Sequence, residues 1–173
     1  MNKTKKLPYL ADITMTIRKK TMFKRLFIFS SILFSLQTLH AQENPTTFVE
    51  EFFNAFHQRD SLFLKQSFMP DAQMWRVSTK QEKPMLRSTE IMAFIHAVSR
   101  RPASPVWEER LGTPISQQHQ NMATVWIPFR FYLDNRLSHC GYNVFQLFHD
   151  GAQWKIISLS DTATQDCAAI AVE

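Results

Sequence analysis

The sequence predicts an α+β fold, and three observations carry that prediction. Apolar residues recur at helical spacing in the first part of the chain after residue 42. They alternate with polar residues in long runs after Pro105. Helical segments grouped ahead of an antiparallel meander give an α+β architecture in which helices cover one face of a sheet.

The helices come first. Thr47-Phe48-Val49-Glu50 has capping-box spacing with Pro45 just upstream, and Phe48, Val49, Phe52, Phe53 and Phe56 form one apolar stripe. Asp60 can cap a second, shorter helix through Leu62, Phe63, Leu64 and Phe68, stopped by Met69-Pro70-Asp71. A third helix is expected from Ser88, with Ile91, Phe94, Ile95 and Val98 inward and a stop at Arg101-Pro102. Between the second and third, Ala72 to Val77 reads as a strand and Lys83 to Leu86 as a short edge.

The strands of the meander are Val106 to Leu111, Met122 to Leu133, Arg136 to Phe148 and Gln153 to Asp161. Asp134-Asn135 and Asp150-Gly151 read as two-residue hairpin loops. On that register Arg130 faces His139, Trp126 faces Asn143 and Asn143 faces Ser158. One sheet face then carries Trp126, Arg130, Tyr132, His139, Asn143 and Ser158 beside Phe145, Leu147, Trp154 and Ile156. The other carries Val125, Ile127, Phe129, Phe131, Cys140, Tyr142 and Leu159, with Asp161 on the same side. Pro128, with Gly141 opposite, is expected to bend the ladder, and a slip of one residue would exchange the faces.

Residues 1–41 read as a signal peptide ahead of a single domain, 42–173. Lys24-Arg25 supplies the positive region, Leu26 to Leu36 the apolar region, and Ala41 the small residue at the cut. Met22 is an alternative start. The apolar run is shorter than the roughly 20 residues of a membrane span. The expected location is therefore periplasmic or secreted, with no membrane attachment after cleavage. The chain's 20 Lys+Arg and 15 Asp+Glu include 8 and 1 in that segment, which leaves 12 and 14, a net charge of −2. That balance argues against nucleic acid as a partner. Cys140 and Cys167 are a candidate disulfide in an oxidising compartment. The histidines lack helical i, i+4 spacing and no glycine-rich phosphate loop occurs, so neither metal nor cofactor is expected.

The segments Phe48 to Phe56 followed by Asp60, Phe68-Met69-Pro70-Asp71-Ala72, Ala123 to Trp126, His139 to Leu147, and Gly151 to Ile156 together resemble the nuclear-transport-factor-2-like superfamily. The likeness is to its SnoaL-like and secreted bacterial lumazine-binding-like branch. The resemblance implies a cone of curved antiparallel sheet wrapped around three helices, an interior pocket and frequent dimers. In the ketosteroid-isomerase branch a Tyr on the first helix and an Asp on the strand after the Phe-x-x-Asp-Ala turn carry the chemistry. Here those positions fall on Phe52 and near Arg76, so that reaction is not expected.

The leading expectation is an exported small-molecule-binding domain for a small apolar or aromatic ligand. Its contacts would be Trp75, Trp126, Arg130, Tyr132, His139, Asn143 and Ser158, over a floor of Phe52, Phe56 and Ile95. A SnoaL-type lyase or isomerase is the second reading, with His139 as acid/base and Asp161 as its weak candidate partner. The third is an interaction module with a closed cavity, dimeric through the apolar sheet face.

Overall fold

A computed structural model of the protein describes residues 44–80 and 83–172. The expected signal segment lies outside the described residues. Helix α1, Pro45–Gln58, starts at an Asn44 cap whose Oδ1 accepts from the Thr46 amide at 3.0 Å. The cap is therefore Asn44, three residues before the expected Thr47, with Pro45 at the first helical position where its missing N–H is harmless. Phe48, Val49, Phe52, Phe53 and Phe56 are all buried, and Arg59 ends the helix with a left-handed φ of 62°. Asp60 Oδ1 then accepts from the Leu62 and Phe63 amides, both at 3.0 Å, which starts α2, Ser61–Ser67.

Strand β1, Phe68–Lys80, follows directly, and β2, Lys83–Thr89, pairs back along it. Ser88 and Thr89 complete β2, so α3 begins later than expected and spans Ile91–Arg100. The remaining strands are β3, Trp107–Leu111; β4, Ile115–His119; β5, Met122–Leu133; β6, Arg136–His149; and β7, Trp154–Ala163. The seven strands form one open sheet in the order β2-β1-β7-β6-β5-β3, and β4 pairs with the other half of β5. The expected all-antiparallel sheet has one exception, because β1 runs parallel to β7. The three helices pack on one face of this mixed sheet. Their phenylalanines interlock with Phe145 and Phe68, as in the edge-on contact of Phe52 and Phe145 at 5.6 Å. Each fully buried ring of this kind contributes about 2–3 kcal/mol.

The register differs from the expected one at two places. The β5–β6 turn is the two-residue loop, with φ 47° at Asp134 and 61° at Asn135. Pairing then shifts between Phe131 and Tyr132, so His139 lies opposite Phe131 and Asn143 opposite Ile127. The β6–β7 connection is longer than two residues. Asp150 Oδ1 accepts from the amides of Ala152 and Gln153, both at 2.9 Å, and a second shift near Leu147 sets Asn143 opposite Asp161.

Those two shifts exchange the faces of β5 and of the end of β7, as a one-residue slip must. Ala123, Val125 and Ile127 point under the helices and are buried. Val125, Ile127, Phe131 and Leu159 of the expected apolar face therefore belong to the core under the helices, whereas Cys140 and Tyr142 stay on the outer face. Pro128 does not mark the irregularity; it pairs with Tyr142 within a continuous ladder. Gly141 has a separate cause, because a Cβ there would lie 2.1 Å from the Thr162 carbonyl oxygen of the neighbouring strand β7.

Candidate functional site

Five strands and two helices converge on a cavity of about 350 Å³. Its apolar wall is Phe52, Phe53 and Phe56 from α1, Phe94 from α3, Met74 from β1 and Leu159 from β7. Ala93 and Ala97 on α3 leave the space that larger residues would fill. Its polar end is Arg76, Glu109, Asn143 and Asp161, with Arg87 and Thr89 on β2. A larger cleft of about 560 Å³ adjoins it between β1 and the start of α3, where Ile95, of the expected floor, is placed.

Two hydrogen-bonded pairs build the polar end. Asn143 Nδ2 donates to Glu109 Oε1 at 2.7 Å. Arg76 Nε donates to Asp161 Oδ2 at 2.9 Å and Oδ1 at 3.1 Å, and its terminal nitrogen reaches the same carboxylate. The Arg76 side chain stays 46% exposed and that of Asp161 16%, so the pair is partly solvated and stabilises less than a buried one. The Asp161 carboxylate holds the Arg76 guanidinium above its ordinary range.

Glu109 is the unusual group. The residue is half-buried and borders the cavity, and its carboxyl is pushed up to about 7, chiefly by burial; the Asn143 hydrogen bond opposes this, and the Asp161 carboxylate adds to it. Among the described residues no second donor reaches that carboxyl. The backbone under it is fixed from α1, because the Glu109 amide donates to His57 Nε2 at 2.9 Å. His57 is accordingly held neutral, with burial and the Arg101 charge lowering its pKa. The cavity thus contains a carboxyl that changes charge near neutrality, a fixed amide and a guanidinium–carboxylate pair. That set can donate to, accept from and neutralise a small ligand.

The residues expected to form the site divide. Asn143 is in the cavity, as are Phe52 and Phe56. Asp161 is there as well, on the inner side rather than the outer one, because of the second register shift. Trp75 borders the cavity, but its indole N–H turns to Gln73 Oε1 at 3.4 Å. His139 shares the side of Asn143 on β6 yet lines a different, open depression with Val77, Ser78 and Thr162. Its ring packs 4.9 Å from Phe131, and burial followed by the Arg76 charge lowers its pKa.

Trp126, Arg130, Tyr132 and Ser158 are corrected to the outer face. Trp126 is 41% exposed and lies against Tyr142. Arg130 donates to the carbonyls of Ile170 at 3.0 Å and Cys167 at 3.4 Å, and Tyr132 lies under the Arg110 guanidinium. Ser158 pairs with Gln146 and Gln73. Cys140 is bonded to Cys167, which ties the C-terminal tail to β6 on that face. Among the described residues no cluster of His, Cys, Asp or Glu could hold a metal ion.

Glu109 and Arg87 were not among the expected residues. A signal for Glu109 exists. In Trp107-Glu108-Glu109-Arg110-Leu111 it shares a strand face with Trp107 and Leu111, so a carboxylate stands on an apolar stripe.

No protein-family model matches the sequence. No curated protein matches it either. Solved structures do. A nuclear-transport-factor-2-like protein of unknown function from Shewanella baltica aligns with a TM-score of 0.52 and 11% identity, over 70% of this chain and 91% of that one. A nuclear-transport-factor-2-like protein from Cytophaga hutchinsonii gives 0.53 and 14%, over 70% and 100%. The beta subunit of the benzoate 1,2-dioxygenase from Burkholderia mallei gives 0.55 and 13%, over 71% and 90%. Identity this low speaks for architecture and leaves ligand and activity open. With the three helices of the described residues on one face of a mixed sheet, the chain has the nuclear-transport-factor-2-like fold.

Proposed function

We propose that the protein is an exported small-molecule-binding domain whose site is the cavity between the sheet and the helices. The observation that carries this reading is the pairing of an aromatic wall with one convergent polar end in a single space of about 350 Å³. Aromatic rings supply apolar area at low entropic cost, and a few fixed polar groups set orientation. The fold supports ligand-binding and enzyme-like domains alike. Binding is favoured here because the expected acid/base, His139, does not line the cavity.

The test uses the neutral fluorescent dye N-phenyl-1-naphthylamine. The protein should enhance its emission saturably. Ala97→Phe, which places a ring in the cavity from an exposed helix position, should abolish that enhancement. Its stability should stay within about 1 kcal/mol, because the substitution overpacks no existing contact. Equal enhancement in both proteins would place the dye elsewhere and sink the reading.

A further inference from the structure

Charge in the cavity is unbalanced on one side. Arg76 and Arg87 lie directly opposite each other in the β1–β2 ladder. Like charges so placed repel. Asp161 neutralises Arg76 through both carboxylate oxygens. Arg87, on the exposed edge strand, reaches the mouth of the same cavity, and no carboxylate among the described residues pairs with it. The only other acid in the lining is Glu109, which is already hydrogen-bonded to Asn143.

Resting on the binding reading above, we propose that the ligand is an apolar monocarboxylate. Its hydrocarbon or aromatic body would lie on Phe52, Phe56 and Phe94, and its anionic group would be received by the Arg87 guanidinium. Arginine suits this role, since its planar fork matches a carboxylate with two parallel hydrogen bonds. A cavity of about 350 Å³ holds one ring and a short chain.

Proton linkage follows from the neighbours of Glu109. Facing it are Asn143 on β6, Asp161 on β7 and Arg76 on β1, with neutral His57 from α1 on its amide and Arg87 across the cavity. A bound anion adds negative charge beside a carboxyl whose pKa is already about 7, so binding favours its protonated form. Affinity should therefore rise as pH falls from about 8.5 to about 6, where the ligand's own carboxyl remains ionised.

The experiment displaces N-phenyl-1-naphthylamine with 4-phenylbutyrate or with its uncharged amide. At about pH 6 the acid should displace the dye at a concentration about three- to fivefold lower than the amide, the value of one solvent-exposed charged contact. In Arg87→Gln that ratio should collapse toward one. In Glu109→Gln it should persist but lose its pH dependence. If the amide equals or outcompetes the acid, or if neither displaces bound dye, the anionic class is wrong while the cavity reading stands. If the wild-type protein binds no dye, both readings fall.

Discussion

Arg76 and Arg130 are both strand arginines, and they stand on opposite faces of the sheet with opposite uses. Arg76 spends its hydrogen bonds on a carboxylate, stays half-exposed and borders empty space. Arg130 reaches only backbone carbonyls of the tail, and its Nε is buried without a partner. The inner arginine belongs to a cluster whose charge can still change, through Glu109. The outer one is a fastener, working beside the Cys140–Cys167 bridge to hold residues 167–172 over Pro128 and Gly112. The inner polar groups border open space, whereas those under the tail are enclosed by the chain itself.

The largest way to break the comparison is to cut the bridge. Replacing Cys140 and Cys167 by Ser opens a loop of 27 residues and should cost about 3.5 kcal/mol in a denaturant titration on the chain-entropy model. Dye binding in the cavity should change little at concentrations of denaturant where the variant remains folded. Equal loss of binding and stability would show that the two faces are not independent.

The second effect belongs to the inner face. A carboxyl raised in the folded state binds protons more tightly there than when unfolded. Its favourable contribution is therefore present at low pH and is lost as pH rises from the unfolded value through about 7. Discounted for its opening on the cavity, that contribution is about 2 kcal/mol. Glu109→Gln should thus be more stable than wild type by about 2 kcal/mol above pH 8, with the gap closing near pH 5. Melting curves across that window check it, and a constant gap would mean that Glu109 does not titrate there.

The smallest effect sharpens the outer face. Trp126 is 41% exposed and stacks only on one side, so Trp126→Ser should change stability by about 0.5–1 kcal/mol and leave dye binding intact. A loss of binding on that change would return Trp126 to the ligand site.

Much of the fold was legible in the sequence because its signals are local. The apolar stripe of α1 and the alternation over Met122 to Leu133 need only neighbours a few residues apart. The facing of the residues was not legible. It depends on register shifts beside Tyr132 and Leu147, where no glycine or proline announces them. Pro128 and Gly141, which do look like breaks, sit instead in a continuous β5–β6 ladder, and Gly141 marks the close approach of the neighbouring strand β7. The edge strand Ile115–His119 also went unread, since each of its residues is exposed and no core face disciplines its pattern. The site suffered most, as its polar members are single residues whose meaning comes from partners 34 and 85 positions away.

The parallel pairing of β1 with β7 has a consequence for how the molecule comes into being. Arg76 and Asp161 meet only when the first strand finds the last, and Glu109 and Asn143 come from the strands between. Contacts between such distant parts of a chain form slowly, because loop closure precedes any reward. During synthesis the helices and the first hairpin can assemble as they emerge. The cavity cannot be complete until the final strand has been made, so a fragment that ends before Trp154 lacks the Leu159 and Asp161 side of it.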